Sequence, residues 1–351
     1  VRVLIIDDSA FMRSALRRIL RSEPDIDVVG AAANGAAGLE EIARLKPDVV
    51  TLDVEMPVMD GLTALGEITR LPDSPAVLMC SSLTQEGSDA ALRALSLGAS
   101  DFIAKAPTVG GMQDLRDEII AKVLALGKEA GRRSRKADST PRPQSPPRQT
   151  RRAAQPTTAD LVVIGSSTGG PPVLEEVLRA LPAGFALPIV IAQHMPELFT
   201  RRMAERLDAL AHVPVRHAED GMAIRGGVVH IAPGGRHTRI EADRAGHWKL
   251  TTSDEPVGDL FKPSVDVLFD SAAGVVGAGV LALVLTGMGR DGARGARALR
   301  DAGARVLTQT EHSCVVYGMP RAVDEAGLSS GSYEPAEFGR LLASLARRAA
   351  A

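Results

Sequence analysis

Residues 161–177 read LVVIGSSTGGPPVLEEV, and within them Gly165, Ser167 and Gly169 fit the spacing G-x-S-x-G. An apolar run precedes the motif and a helical pattern opening at Pro171 follows it. In that strand–turn–helix setting a serine hydroxyl is lifted clear of its backbone to act as a nucleophile. A phosphate-cradling loop fits less well: the glycines miss the G-x-G-x-x-G spacing, no GK[ST] follows, and no acidic residue ends the next strand. A serine needs a base, and His194 directly follows the buried-type run IVIAQ. A base needs an orienting carboxylate, and Asp291 sits in the turn TGMGRDG after the most apolar run of this region, GVLALVLTG. Ser167 would attack, His194 would take its proton and Asp291 would fix the imidazole tautomer, an arrangement for acyl hydrolysis. Backbone N–H groups around Thr168 and Met288 could bind the oxyanion, one such donor being worth roughly 3 kcal/mol of barrier. The order serine, acid, histidine would instead make His312, after TQTE, the base, and chain order alone leaves that open. His230, inside VVHIAP, reads as structural, and His212, His217, His237, His247 and His312 share no zinc-ligand spacing.

A second constellation lies upstream. Asp7 and Asp8 follow VLII, Asp53 follows VVTL, Ser81 ends VLMCS, and Lys105 ends DFIAK. If those runs are strands of one parallel sheet, all five residues share its carboxyl edge. Clustered carboxylates repel one another and call for a cation, and hard oxygen donors with open positions suit Mg²⁺. A metal, an ammonium and a hydroxyl around one carboxylate make a phosphoryl-accepting site.

The elements that must position these groups are legible as alternation. Residues 1–126 interleave VRVLII, DVVGAA, PDVVTLD, PAVLMCSS and ASDFIAK with amphipathic helical stretches. Strict β-α alternation predicts a five-stranded parallel sheet covered by helices. Residues 127–159 carry nine Lys/Arg against two acidic residues and five prolines, with almost nothing apolar, and read as an extended basic linker. Without interleaved aromatics or an apolar face this is a solvated spacer rather than a nucleic-acid or membrane arm. Residues 160–351 show a second α/β pattern, into which HIAPGGRHTRIEADRAGHWKLTT inserts as an antiparallel β-hairpin or meander.

Bulk numbers agree with two soluble domains: 351 residues, 45% hydrophobic, 24% charged and only 3% aromatic, so the cores are aliphatic. The formal charge of −2 includes a linker surplus of seven positive charges, which leaves the folded parts acidic and disfavours nucleic acid. Cys80 and Cys314 sit singly in apolar runs and read as buried, reduced thiols of a cytoplasmic protein. No signal peptide precedes Val1, no run reaches the roughly 18 apolar residues of a membrane span, and an initiator Met is expected before a chain that opens within a strand.

Over its full length the N-terminal domain resembles the response-regulator receiver family, on the strength of IIDDSAFMR, LDVEMPVMDG, CSS and GASDFIAK. The resemblance implies a flavodoxin-like fold with Asp53 as the phosphorylated residue. It implies Mg²⁺ on Asp8, Asp53 and the Glu55 carbonyl, with Asp7 assisting through water, and Ser81 and Phe102 as the switch pair. The family's Lys-Pro is Lys105-Ala106-Pro107 here, and a cis peptide to Ala106 would cost about 3 kcal/mol. IGSSTGGP, QHMP, KPSVDVLF, LTGMGRDGA and SCVVYGMPRA are together similar to the catalytic domain of the CheB methylesterase family. That resemblance implies a Rossmann-like doubly wound domain with Ser167, His194 and Asp291 as the triad, Thr168 and Met288 beside them, and no cofactor. It further implies a monomer that demethylates glutamyl methyl esters on methyl-accepting chemoreceptors, meets the membrane only through them, and takes its phosphoryl group from a chemotaxis histidine kinase. Deamidation of receptor glutamines accompanies this in many members. The unphosphorylated receiver is expected to cover the Ser167 edge.

Overall fold

The computed structural model describes residues 1–105, 111–138, 158–255 and 261–349. Contacts divide the chain into two units, Val1–Gln144 and Ser145–Ala351. In the first, β1 (Arg2–Ile6), β2 (Asp27–Ala32), β3 (Val49–Asp53), β4 (Ala76–Ser82) and β5 (Asp101–Lys105) form one parallel sheet, ordered β2-β1-β3-β4-β5. Helices α1 (Ala10–Arg21), α2 (Gly35–Leu45), α3 (Gly61–Ile68) and α4 (Gln85–Ser96) connect successive strands, and α5 (Gly111–Asp138) follows β5. The strand residues Val3, Leu4, Ile5, Val49, Val50 and Leu52 are fully buried, as a sheet covered on both faces requires.

Four polar residues set where the chain turns back from the sheet edge. Ser9, Asn34, Asp60 and Thr84 cap α1 to α4, each side chain accepting from the amide three residues on. A cap of this kind is worth about 1 kcal/mol. Parallel register then places Asp53 beside Cys80, and Ser82 beside Lys105, at the carboxyl edge.

Helix α5 corrects one expectation. The basic segment from Gly127 onward was expected to be extended, but the helix runs on to Asp138. The stretch GKEAGRRSRKAD contains no proline until Pro141, its residues are mostly good helix formers, and Arg132 pairs with Glu129 one turn back at 3.1 Å. Charge alone does not unwind a helix that a buried face already anchors: Leu115, Ile119, Val123 and Leu126 are all buried.

In the second unit, β6 (Leu161–Ser166), α6 (Gly170–Arg179), β7 (Ile189–Gln193), α7 (Glu197–Leu210), β8 (Val215–His217) and β9 (Val229–Ile231) come first. The strands β10 (His237–Ala242) and β11 (Trp248–Ser253) follow, then α8 (Val265–Val275), β12 (Val280–Val284), α9 (Ala293–Asp301) and β13 (Arg305–Gln309). The chain closes with α10 (Met319–Glu325), β14 (Ser332–Tyr333) and α11 (Pro335–Ala349). Seven strands make one parallel sheet ordered β14-β13-β12-β6-β7-β9-β8. Val265, Leu268, Phe269 and Ala272 of α8 pack against Val163, Val190, Ala282 and Val284 of that sheet.

Of the hairpin and the meander that the sequence allows, the insertion is the hairpin. β9 belongs to the parallel sheet, paired with β7 and β8, and only β10 and β11 form a separate antiparallel pair, with Ile240 opposite Leu250. All three residues of β9 are buried, so it needs cover on both faces, and Pro233-Gly234-Gly235 ends it before the hairpin begins. β14, two residues long, is too short to show a period in the sequence.

Candidate active site

Strands β12, β6 and β7 lie side by side in the middle of the larger sheet. The chain leaves β6 for β7 on one side and later returns to place β12 on the other, which opens a crevice at their carboxyl ends. Pairing continues past the strands: His194 N donates to Ser166 O at 3.1 Å, Ser167 N to Thr286 O at 3.0 Å, and Leu285 N to Gly165 O at 2.9 Å. Ser167 and His194 therefore stand on neighbouring strand ends. No hydrogen bond links Ser167 Oγ to His194 among the described residues, and such bonds commonly close only with substrate in place.

The turn after Ser167 is glycine by necessity. Gly169 has φ +77°, and a Cβ there would lie 2.5 Å from Val315 side-chain carbons. Thr286 holds this turn from the β12 side. Its Oγ1 donates to Thr168 O at 2.9 Å and accepts from Val316 N at 3.1 Å, while Thr168 is buried. Met288 sits in the next turn, where Gly287 donates to Val316 O and accepts from Gly318 and Met319 amides at 3.1 and 2.8 Å.

The buried Gln193 side chain spans the two strand ends. It accepts from Ser166 Oγ at 2.6 Å and donates to Ser167 O at 2.9 Å and to His194 O at 3.2 Å. Sequence reading gave it no role.

His194 Nε2 lies 2.7 Å from Asp291 Oδ2, and its Nδ1 is buried without a hydrogen-bond partner. Phe261 stacks on the imidazole, with ring centroids 4.3 Å apart and planes 10° from parallel. Asp291 is received by the first turn of α8: Val265 N donates to Oδ2 at 2.7 Å, and Asp266 N and Ser264 Oγ donate to Oδ1 at 2.9 and 3.0 Å. Burial alone would raise the Asp291 pKa, but the bond to His194, its charge and these amides at a helix N-terminus bring it down to about 2. The carboxylate is thus ionised across the working range and fixes the proton on Nε2. Asp266, next to it, is pushed up to about 6 by burial and by the Asp291 charge, against the Gly295 amide that donates to it at 2.7 Å.

His312 does not share this cluster: it is 74% exposed and paired with Glu334 at 2.6 Å. His230 is buried in β9 with Nδ1 at 3.2 Å from Ile189 O.

In the N-terminal unit, carboxylate oxygens of Asp7, Asp8 and Asp53 lie within 4.8 Å of one another. Lys105 Nζ reaches Asp53 Oδ1 at 2.7 Å and Asp7 Oδ2 at 3.1 Å. Burial raises the Asp53 pKa despite Lys105. Burial would lower that of Lys105, but Asp53 and Asp7 hold it above the ordinary lysine value. This all-oxygen donor set, with Asp8 exposed and Glu55 following in the same loop, fits a hard divalent cation such as Mg²⁺. Ser81 Oγ donates to Gly87 O at 2.6 Å, at the start of α4, rather than to the carboxylates. The Phe102 ring is buried, with Lys122 Nζ 5.5 Å from its centroid. Ala106, on which the expected departure at the Lys105 peptide turns, lies outside the described residues.

One sheet edge with a carboxylate cluster and another with a serine, a histidine and a buried acid define a receiver-linked serine hydrolase built on a parallel α/β sheet. The response regulator receiver domain model matches residues 3–117, and the CheB methylesterase model matches residues 162–342. The protein-glutamate methylesterase/protein-glutamine glutaminase 1 of Oleidesulfovibrio alaskensis is 43% identical, over 94% of this chain and 95% of that protein. The protein-glutamate methylesterase/protein-glutamine glutaminase of Alkalilimnicola ehrlichii is 41% identical, over 98% of this chain and 99% of that protein. The crystal structure of the Thermotoga maritima CheB methylesterase catalytic domain superposes with a TM-score of 0.52 at 37% identity, covering 54% of this chain and 99% of that one. The chain belongs to the CheB methylesterase family.

Proposed function

We propose that this chain hydrolyses γ-glutamyl methyl esters on methyl-accepting chemoreceptors in the cytoplasm, with Ser167 as nucleophile, His194 as base and Asp291 as its orienting acid. The carrying observation is the 2.7 Å contact between Asp291 and His194 Nε2, which leaves Nδ1 as the ring nitrogen able to take a proton. Ser167 Oγ attacks the ester carbonyl as its proton passes to Nδ1. The backbone N–H groups of Thr168 and Met288 receive the oxyanion, the proton goes to the departing methoxide, and methanol leaves. Water repeats the sequence on the acyl-serine and releases glutamate. A glutamine side chain would follow the same path with ammonia leaving, in keeping with the two activities in the relatives' names.

The receiver unit, on this reading, restrains the catalytic unit until Asp53 takes a phosphoryl group from a chemotaxis histidine kinase. Residues 1–126 act as the receiver, 127–159 as the connection and 160–351 as the esterase. Mg²⁺ held by Asp8, Asp53 and the Glu55 carbonyl, with Asp7 through water, would neutralise phosphoryl oxygens alongside Lys105. Moving a two-state equilibrium from mostly closed to mostly open takes a few kcal/mol, within reach of one phosphoryl group.

The test measures methanol release from methyl-esterified receptor by the full chain with and without a phosphodonor, by residues 150–351 alone, and by Ser167→Ala. The reading expects the donor and the truncation each to raise the rate, and the substitution to abolish it. Full activity in Ser167→Ala would refute the esterase assignment, and a truncated chain no faster than the unphosphorylated one would refute restraint by the receiver.

A further inference from the structure

The first turn of α8 has four amides that no helical carbonyl can satisfy. Val265 N and Asp266 N go to the Asp291 carboxylate, and Val267 N goes to Ser264 Oγ at 3.3 Å. The fourth, Ser264 N, donates to Nδ1 of His237 at 3.2 Å. His237 opens β10, in the two-stranded insertion, and its side chain is fully buried. To accept from an amide, Nδ1 must offer its lone pair, so this ring carries its proton on Nε2.

Two further bonds tie the insertion to the same region. Gly235 N, two residues before β10, donates to Lys262 O, three residues before α8, at 3.1 Å, and Ile240 N of β10 donates to Ser271 Oγ in the middle of α8 at 3.0 Å. Ser264 is the hinge of the arrangement: one residue gives its amide to His237, its hydroxyl to Asp291 Oδ1, and that hydroxyl's lone pair to Val267.

We propose that His237 is a positioning residue for the esterase reaction, holding Ser264 and the α8 N-terminus so that Asp291 meets His194 Nε2. The insertion is then a buttress of the catalytic acid. The chain Ser264–Asp291–His194 transmits a displacement at one end to the base at the other. The proposal rests on the serine-esterase reading above.

The test uses full-length chains activated by a phosphodonor and compares His237→Leu, His237→Gln and His237→Asn with Ser167→Ala and the unmodified protein. Asparagine can place its oxygen near the position of Nδ1, glutamine near that of Nε2, and leucine offers no acceptor. Methanol release from a methyl-esterified cytoplasmic receptor fragment gives kcat and KM, and circular dichroism gives the melting temperature. A misplacement of about 1 Å costs on the order of 100-fold in rate, so kcat is expected to fall about that far in the leucine and glutamine variants with KM little changed. The asparagine variant should recover most of the rate. A folded leucine variant with unchanged kcat would overturn the proposal, as would loss of rate that follows melting temperature alike in all three. If the leucine variant does not fold, the contrast between asparagine and glutamine decides. Retained activity in Ser167→Ala would instead remove the esterase reading itself.

Discussion

His194 presents Nε2, not Nδ1, to Asp291, at 2.7 Å. In the familiar serine-protease arrangement the acid takes Nδ1 and the serine takes Nε2, so under the proposed mechanism the ring would work the other way round. The chemistry is unaffected, because an imidazole with one nitrogen donating leaves the other as acceptor. Asp291→Asn keeps the size of the acid but offers an amide that can set the wrong tautomer. Its kcat for ester hydrolysis is expected to fall about 10⁴-fold, with KM nearly unchanged. Steady-state kinetics on methyl-esterified receptor check this.

The two carboxylates at the α8 N-terminus titrate in opposite directions. Asp291 is held down at about 2, so the stability it contributes is complete above its ordinary value of 3.8 and is lost as pH falls toward 2. Asp266 is pushed up to about 6 from 3.8, so within that window the folded state binds the extra proton and stability falls as pH rises. Asp266→Asn keeps an acceptor for Gly295 N without the charge facing Asp291. It is expected to melt higher than the unmodified chain above about pH 6 and to show no gain below about pH 4. Thermal melts across that range would decide, and an equal gain at both ends would mean that the charge is not the cause.

Those effects separate what sequence could and could not supply. Ser167, His194 and Asp291 were readable because each follows an apolar run that had to be a strand, and parallel strands put their carboxyl ends on one edge. That Asp291 would receive the amides at the start of α8 was not, since the contact joins residues on different elements and leaves no periodic trace. Neither the ring nitrogen nor the Gln193 brace has a local signature, and the partition of HIAPGGRHTRIEADRAGHWKLTT between two sheets depends on burial that alternation cannot report.

The receiver edge gives a prediction that is separate from esterase chemistry. Asp53 pairs with Lys105 at 2.7 Å, and both sit beside Asp7. Asp53→Asn removes the proposed acceptor carboxylate, so label from acetyl phosphate should not enter the chain. Lys105→Met leaves the acceptor but removes the cation that meets the incoming oxygens. Labelling should then slow by about 100-fold, the usual loss on removing one charge-stabilising donor. Chelation of divalent cations should slow labelling of the unmodified chain and leave the esterase rate of residues 150–351 untouched. Equal labelling of the Asp53→Asn chain would move the acceptor elsewhere.

Gln193 gives the sharpest test of how the serine and histidine strand ends are held together. Its amide nitrogen donates to two carbonyls, Ser167 O and His194 O, while its oxygen accepts from Ser166 Oγ. Gly170 leaves room for it, since a Cβ there would lie 2.2 Å from Gln193 Oε1. Gln193→Glu preserves shape but turns the donor into an oxygen facing two carbonyl oxygens, in a site only 2% exposed. Each orphaned buried carbonyl costs about 1–3 kcal/mol, so the variant should unfold at lower urea and lose turnover with it. Gln193→Met removes both donor and repulsion, and should fall between glutamate and the unmodified chain in both measurements. The ordering separates the two causes. If methionine is as damaging as glutamate, the lost hydrogen bonds account for the effect; if methionine is harmless, the brace contributes nothing and the strand ends are held by their backbone bonds alone.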